Sequence, residues 1–148
     1  GKGSFGKVCL VRETVSGSDG KLYALKVVDK TKLKLIDPDF QSVKNETLIL
    51  SHFNLNQESC PYIVKLHHAF EDDRNACLAL EYCPGGELFS IINKHGKLTS
   101  RLVKFYGACV LLGLEFLHSK NVIFKDLKAE NIVISEDGLA KITDFGLS

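Results

Sequence analysis

The chain has 148 residues, of which 45% are hydrophobic and 25% charged, so it is long enough for one core and ordinary in composition for a globular protein. Its formal net charge of +1 at pH 7 gives no reason to expect binding to nucleic acid or to an anionic membrane surface. The longest apolar run, residues 108–114, is too short to span a bilayer, so we expect no membrane span.

Cysteine and histidine usage indicates neither a disulfide framework nor a metal site. The chain has five cysteines, an odd number, and no Cys-x-x-Cys pair, so we expect reduced thiols and a cytoplasmic or nuclear location. The five histidines lack the spacing of zinc ligands. Because the chain contains no methionine, we also expect it to be a piece of a longer translated protein.

The chain opens on a glycine-rich segment, Gly1-Lys2-Gly3-Ser4-Phe5-Gly6-Lys7-Val8. The residues at 8–11 are β-rich, those at 16–20 are turn-prone, and those at 22–29 are β-rich again. This order predicts a β-hairpin that begins with the glycines.

The glycines of this hairpin are candidates for a phosphate cover. Gly1, Gly3 and Gly6 allow backbone N–H groups to approach phosphates without a Cβ in the way. A dinucleotide-binding oxidoreductase, one alternative, would continue from the last glycine into a helix rather than a strand. A Walker-type loop would place Ser or Thr after the lysine, which Gly6-Lys7-Val8 does not.

A helix is predicted from Asp37-Pro38-Asp39 to about Phe53, because Asp is a capping residue and Pro suits the first helical position. Helical spacing places Val43, Glu46, Leu50 and Phe53 on one face. Glu46 is therefore a carboxylate on an apolar stripe. Burying it alone would be costly, so we expect it to have a cationic partner.

Lys26 is the candidate partner for Glu46. It lies in Tyr23-Ala24-Leu25-Lys26, and the two-residue period of a strand puts Ala24 and Lys26 on the same side. A solvated strand lysine is the ordinary alternative. The apolar face around Glu46 favours the ion pair, because each residue then removes the burial cost of the other.

The middle of the chain predicts further strands and two helices. A loop is expected at 54–61, and Pro84-Gly85-Gly86 should break the chain between two lobes. The other predicted elements are strands at 63–70 and 76–80 joined by a turn at 72–75, a short helix at 87–94 closed by Gly96, and a long helix at about 99–118.

The densest chemistry lies in Phe124-Lys125-Asp126-Leu127-Lys128-Ala129-Glu130-Asn131, followed thirteen residues after Asn131 by Asp144-Phe145-Gly146. Between them two short strands are predicted, at 132–134 and 140–143. Phosphoryl transfer needs such a set. Asp126 can accept a hydroxyl proton and Lys128 can neutralise phosphate charge. Asn131 and Asp144 can hold magnesium.

In this order the motifs resemble those of a protein kinase, over nearly all of the chain. The resemblance implies an α+β fold, with an antiparallel upper lobe carrying one large helix and the beginning of a helical lower lobe. It places the upper, ATP-binding lobe at 1–81, lacking its first strand, the hinge at 82–86 and a partial lower lobe at 87–148. The cofactors it implies are ATP and Mg²⁺, and the partners are protein substrates.

Two motifs narrow the resemblance. Lys128 is typical of serine/threonine kinases rather than tyrosine kinases. Pro84-Gly85-Gly86-Glu87-Leu88-Phe89 and the aromatic Phe124 are similar to the AGC group, which includes the cyclic-nucleotide-dependent kinases.

The resemblance also implies roles for individual residues. Lys26 would bridge the α- and β-phosphates and Glu46. The remaining nucleotide-site residues would be Val8, Ala24 and Val133 around the adenine, Leu80 as gatekeeper, the backbone of Glu81 and Cys83 at the purine edge, Glu87 near the ribose, and Thr143 beside Asp144. The regulatory hydrophobic stack of the family would be Leu50, Leu66, Phe124 and Phe145.

The sequence departs from the family pattern in the catalytic loop and after the large helix. Lys125 stands where arginine is usual, so phosphate-dependent activation is in doubt while catalysis is not. Residues 54–59 are expected to form a surface insertion. The resemblance to the AGC group implies that Glu87 and Glu130 bind an arginine upstream of the acceptor in the substrate. The main alternative to a kinase is a pseudokinase that binds nucleotide without transferring phosphate.

Overall fold

The structure is a computed structural model that describes residues 6–14, 20–55 and 59–148. Gly1 and Gly3 of the predicted phosphate cover lie outside the described residues, as do positions 56–58 of the expected insertion. The described part contains an upper antiparallel sheet, a smaller lower sheet and four helices, so the predicted α+β fold is confirmed.

The upper sheet is built from β1 (Gly6–Arg12), β2 (Leu22–Asp29), β3 (Leu66–Glu71) and β4 (Asn75–Glu81), in the order β1-β2-β4-β3. The predicted hairpin is present, with β1 and β2 paired antiparallel along their whole length. Gly6 has a structural role in it, since a Cβ there would lie 2.2 Å from the carbonyl oxygen of Val27.

The large helix, α2 (Gln41–Leu55), begins later than predicted. Asp37 does cap it, because its carboxylate accepts hydrogen bonds from the backbone N–H groups of Gln41 at 2.9 Å and Ser42 at 2.8 Å. The placing of Pro38 at the first helical position was wrong, since the residues between Asp37 and the helix form a turn. This arrangement satisfies the first N–H groups of α2 from outside the helix.

One short helix was not predicted. α1 (Lys30–Leu33) follows β2 directly and is capped by Asp29, which accepts from the N–H groups of Thr31 and Lys32. A single turn of helix carries too little periodicity to be recognised in a sequence.

The lower sheet has the order β5-β6-β7, from β5 (Gly86–Glu87), β6 (Ile132–Ile134) and β7 (Ala140–Ile142). The two predicted helices are α3 (Leu88–His95), closed by Gly96 at φ 75°, and α4 (Ser100–Ser119), capped by the Thr99 side chain. A 3-10 helix, Ala129–Asn131, lies at the end of residues 124–131, the segment predicted to be catalytic.

One continuous core connects the upper sheet, α2, α4 and the lower sheet. Ile142 on β7 donates its N–H to Tyr62 at 2.8 Å and accepts from the N–H of Val64 at 3.0 Å, so the segment before β3 is bound to the lower sheet. The ring centroids of Phe124 and Phe145 are 5.3 Å apart. All four residues of the predicted regulatory stack are buried in this core: Leu50, Leu66, Phe124 and Phe145.

Helix α4 leaves several apolar side chains exposed: Leu102, Val103, Phe105, Leu111 and Leu112. By length and composition alone this helix could cross a membrane, although the apolar run at 108–114 is shorter. The evidence for a span is weak, because the core helix of a globular domain passes the same test. Cys109, Gly113 and Leu117 of α4 are buried, and α4 packs on β7.

Gly85 allows the segment predicted as the hinge, residues 82–86, to lie directly on β6. Its N–H donates to the carbonyl of Ile134 at 2.9 Å, and a Cβ on it would be 2.6 Å from the Cβ of Ile134. We expect Gly85→Ala to lower the free energy of unfolding by about 1–3 kcal/mol through overpacking, measured by denaturant unfolding of the full-length protein.

The matched control is Gly107→Ala on α4, where a Cβ meets nothing within 4 Å. Alanine is the better helix former, so this change should raise stability by up to about 1 kcal/mol. Equal stability of the Gly85→Ala variant and the wild-type protein would contradict the close contact at the hinge.

Candidate active site

One face of the upper sheet provides an apolar surface around Lys26. The lysine is paired with Val8 on β1 and Leu78 on β4, and residues directly opposite in an antiparallel sheet share a face. Two positions earlier, Ala24 is paired with Leu80, on the same face by the period of the strand. The predicted adenine contacts Val8 and Ala24 therefore lie on the face that carries the lysine.

Lys26 bridges two acids. Its Nζ lies 2.7 Å from Glu46 Oε2 on α2 and 2.9 Å from Asp144 Oδ1 after β7. The predicted Lys26–Glu46 ion pair is confirmed. The contact with Asp144 was not predicted, because nothing in the sequence relates a strand residue to one more than a hundred positions later. The bridge joins the upper sheet, the large helix and the Asp-Phe-Gly motif.

The charges of this cluster depend on one another. Burial lowers the pKa of Lys26, but the carboxylates of Glu46 and Asp144 outweigh it and the net shift in that pKa is upward. Burial raises the pKa of Glu46, and Lys26 opposes that shift. Glu46 is only 2% exposed, and its Oε1 has no hydrogen-bond partner among the residues that the structure describes. The net shift in the pKa of Glu46 is upward, and Lys26 is the cation that offsets part of the cost of burying its carboxyl group.

The predicted catalytic segment, residues 124–131, folds into a compact polar cluster. Asp126 Oδ2 accepts hydrogen bonds from Lys128 Nζ at 2.7 Å and from Asn131 Nδ2 at 2.9 Å. The Lys128 hydrogen bond is the main cause that lowers the pKa of Asp126, and the same contact raises the pKa of Lys128. Asp126 is therefore a carboxylate at neutral pH and is available to accept a hydroxyl proton.

The β6–β7 hairpin positions the two predicted metal ligands. Asn131 is 5% exposed and precedes β6, while Asp144 follows β7 with φ at 67°. The N–H of Thr143 donates to the carbonyl of Asn131 at 3.0 Å, which fixes the two ends of the hairpin beside each other. Thr143, predicted as a nucleotide-site residue, is partly buried at this junction.

Asn131 and Asp144 fit a magnesium ion that is bound together with a phosphate. The amide nitrogen of Asn131 is engaged by Asp126, which leaves its amide oxygen for a cation, and only one oxygen of Asp144 contacts Lys26. Within the described ranges there is no group of three His, Cys, Asp or Glu residues that could hold a metal alone. Mg²⁺ is commonly held by one or two protein oxygens plus substrate phosphates, and this donor set suits that mode.

The predicted purine contacts lie at the end of β4. Leu80 and Cys83 are buried, and Cys83 accepts a hydrogen bond from the N–H of Gly86 at 3.1 Å. Burial, with a smaller contribution from the Glu81 charge, raises the pKa of the Cys83 thiol to about 11, so it is not a reactive thiolate at neutral pH. Val133, predicted to be one of the residues around the adenine, is paired with Glu87 and is partly buried.

Sequence reasoning missed one buried charge near this site. Lys141 on β7 is 6% exposed, and its Nζ lies 2.6 Å from Oε1 of Glu81. The available signal was a lysine between two apolar residues in a short predicted strand, Ala140-Lys141-Ile142. Such a position is buried on one or both sides, so a lysine there needs a partner.

Comparisons with known proteins agree with this geometry. The family model described as protein kinase domain matches residues 1–148. Over the whole chain, identity is 46% to the putative ribosomal protein S6 kinase alpha-1 of Caenorhabditis elegans and 45% to the human ribosomal protein S6 kinase alpha-1. It is 43% to protein kinase 3 of Dictyostelium discoideum. The chain spans 18%, 19% and 15% of these relatives, respectively.

Proposed function

Because the chain belongs to the protein kinase domain family, we propose that the protein transfers the γ-phosphoryl group of Mg-ATP to serine and threonine hydroxyls of proteins. The observation that carries the proposal is the bridge from Lys26 to both Glu46 and Asp144. It joins the predicted phosphate-binding lysine, the large helix and a predicted magnesium ligand in one contact network. Two of the relatives that the chain matches are ribosomal protein S6 kinases, which supports the resemblance to the AGC group.

In the proposed reaction the residues mainly position and neutralise charge. Lys26 binds the α- and β-phosphates. Asn131 and Asp144 would hold Mg²⁺, which would supply positive charge against the phosphates. Asp126 orients the acceptor hydroxyl and takes its proton, and Lys128 offsets charge on the transferred group. The lowered pKa of Asp126 and the raised pKa of Lys128 keep both groups in the required charge state.

The test of the proposal is transfer from γ-labelled ATP by the full-length protein to a mixed library of peptides. Phosphoamino-acid analysis should find phosphoserine and phosphothreonine without phosphotyrosine, and only when Mg²⁺ is present. A pseudokinase would bind ATP and give no labelled peptide. Labelled tyrosine as the main product would contradict the assignment to serine/threonine kinases.

We further propose that the protein prefers arginine upstream of the acceptor. Glu87 and Glu130 are both exposed, and β5, which carries Glu87, contacts the 3-10 helix that carries Glu130. Glu87 stands at the N-cap of α3 but makes no capping hydrogen bond with its side chain, so its carboxylate is free of the ordinary helix-end role. Two exposed acids on adjoining elements suit a guanidinium ligand.

For this preference the predicted change is Glu130→Gln. We expect it to lower the preference for arginine in a peptide-library assay by about tenfold at one upstream position, because a charge-assisted pair becomes a neutral one. Turnover of peptides that lack arginine should stay unchanged. Glu136→Gln, an exposed acid in the β6–β7 turn, is the matched control. An arginine preference equal in the Glu130→Gln and wild-type proteins would exclude this role while leaving the kinase assignment intact.

A further inference from the structure

The ion pair between Lys141 and Glu81 lies away from the phosphate chemistry. Lys141 stands on β7 between Ala140 and Ile142, both fully buried, and its Nζ contacts Glu81 Oε1 at 2.6 Å. The side chains are 8% and 23% exposed, respectively. A buried pair of this kind often contributes nothing to stability beyond what apolar side chains would give, so its presence calls for another explanation.

Glu81 is held in place through both oxygens of its carboxylate and through its backbone. Oε1 accepts from Lys141, and Oε2 accepts from the backbone N–H of Lys65 at 3.2 Å. The N–H of Glu81 donates to the carbonyl of Lys65 at 2.8 Å, and the residue is paired with Tyr23 on β2. Because its carboxylate and its backbone N–H are hydrogen-bonded and its register in the sheet is set by Tyr23, the backbone of Glu81 has little freedom to move.

The pair also connects the two ends of the proposed nucleotide site. Glu81 is the last residue of β4, and the hinge begins directly after it. Lys141 lies on β7, three residues before Asp144. The next residue on β7, Ile142, is hydrogen-bonded to the segment at 62–64. A shift of the hinge relative to Asp144 would therefore have to break or stretch this contact.

We propose that Lys141 is a positioning residue for the adenine of ATP: through Glu81 it sets the backbone carbonyl that accepts from the exocyclic amine of the base, at a fixed place relative to Asp144. The inference rests on the proposed function, because it takes the nucleotide to be ATP bound at the hinge. Lys141 acts through Glu81 and does not itself contact the nucleotide.

The test compares two nucleotides on the full-length protein carrying Lys141→Met. ATP has the exocyclic amine, whereas purine riboside 5′-triphosphate lacks it and cannot use the Glu81 carbonyl. We expect the Kd of ATP to rise about tenfold, the size of one well-placed hydrogen bond, and the Kd of the analogue to change by less than about twofold. A purely structural role would weaken both nucleotides equally.

The controls separate the inference from folding and from the proposed function. Lys30→Met removes another lysine ion pair, with the exposed Glu71 at 2.8 Å, and should leave both Kd values unchanged. If the Lys141→Met protein does not fold, Glu81→Gln is used instead. This change should raise the Kd of ATP more than the Kd of the analogue. An unchanged Kd for ATP, or equal losses for both nucleotides, would overturn the inference. Because Kd needs no turnover, a protein that binds ATP without transferring phosphate would refute only the proposed function.

Discussion

Replacing Lys26 by methionine is expected to abolish phosphoryl transfer and to destabilise the protein at the same time. The activity is lost for two reasons. The proposed contact of Lys26 with the α- and β-phosphates is removed, and Asp144 loses the lysine at 2.9 Å that orients it. Stability is lost because Glu46, 2% exposed, would lose the cation that offsets the cost of burying its carboxyl group. Removing one partner of a buried ion pair typically costs about 3–5 kcal/mol.

The two effects of Lys26→Met can be separated with a double variant. Lys26→Met combined with Glu46→Met removes both charges, so the free energy of unfolding should return towards the wild-type value while the protein remains inactive. The measurements are denaturant unfolding and transfer from γ-labelled ATP. A double variant as unstable as the single variant would contradict the view that the unpaired Glu46 causes the destabilisation.

Replacing Asp126 by asparagine is expected to lower kcat by about 10²–10⁴-fold, the usual contribution of a positioned proton acceptor. The Kd of ATP should change little, since Asp126 contacts Lys128 and Asn131 and has no proposed contact with the nucleotide. Asn keeps one acceptor for those two donors, so the fold of the loop should persist. Steady-state kinetics and nucleotide titration on the same preparation measure both quantities.

The pH dependence of kcat gives a second check on Asp126. Its lowered pKa means that the carboxylate is already deprotonated above its ordinary range near 4, so Asp126 should give no acid limb between pH 6 and 8. Asp73→Asn, at an exposed turn position, is the matched control and should leave kcat and its pH profile unchanged. An Asp126→Asn protein with wild-type kcat would contradict the role of Asp126 as proton acceptor.

The Lys26–Glu46 pair was predictable because the sequence poses a local problem with one solution. Helical spacing puts Glu46 on an apolar face, and a buried carboxylate requires a cation. The nearest β-rich segment offers Lys26 on a face shared with Ala24. The pattern therefore predicts the contact without any knowledge of the tertiary structure, and the structure confirms it at 2.7 Å.

The contacts that the sequence did not reveal are those between distant segments. Two ion pairs are of this kind, Lys26–Asp144 and Lys141–Glu81. In each, the two residues are brought together only by the packing of the two sheets against a common core. A sequence pattern can predict that a charged residue is buried, but it does not identify the residue that will pair with it. The start of α2 was missed for a different reason, since Asp37 caps the helix from a turn outside it and the prolyl position predicted as helical belongs to that turn.

We propose that the residues around Lys26 and Asp126 bind Mg-ATP and transfer its γ-phosphoryl group. The most direct test measures ATP binding, with and without Mg²⁺, and phosphoryl transfer to a serine peptide in the full-length wild-type protein and its Asp144→Asn variant. We predict that Mg²⁺ strengthens ATP binding and permits transfer in the wild-type protein, and that both effects are lost in the variant because a ligand charge is removed. Transfer by the Asp144→Asn protein at the wild-type rate would contradict the claim.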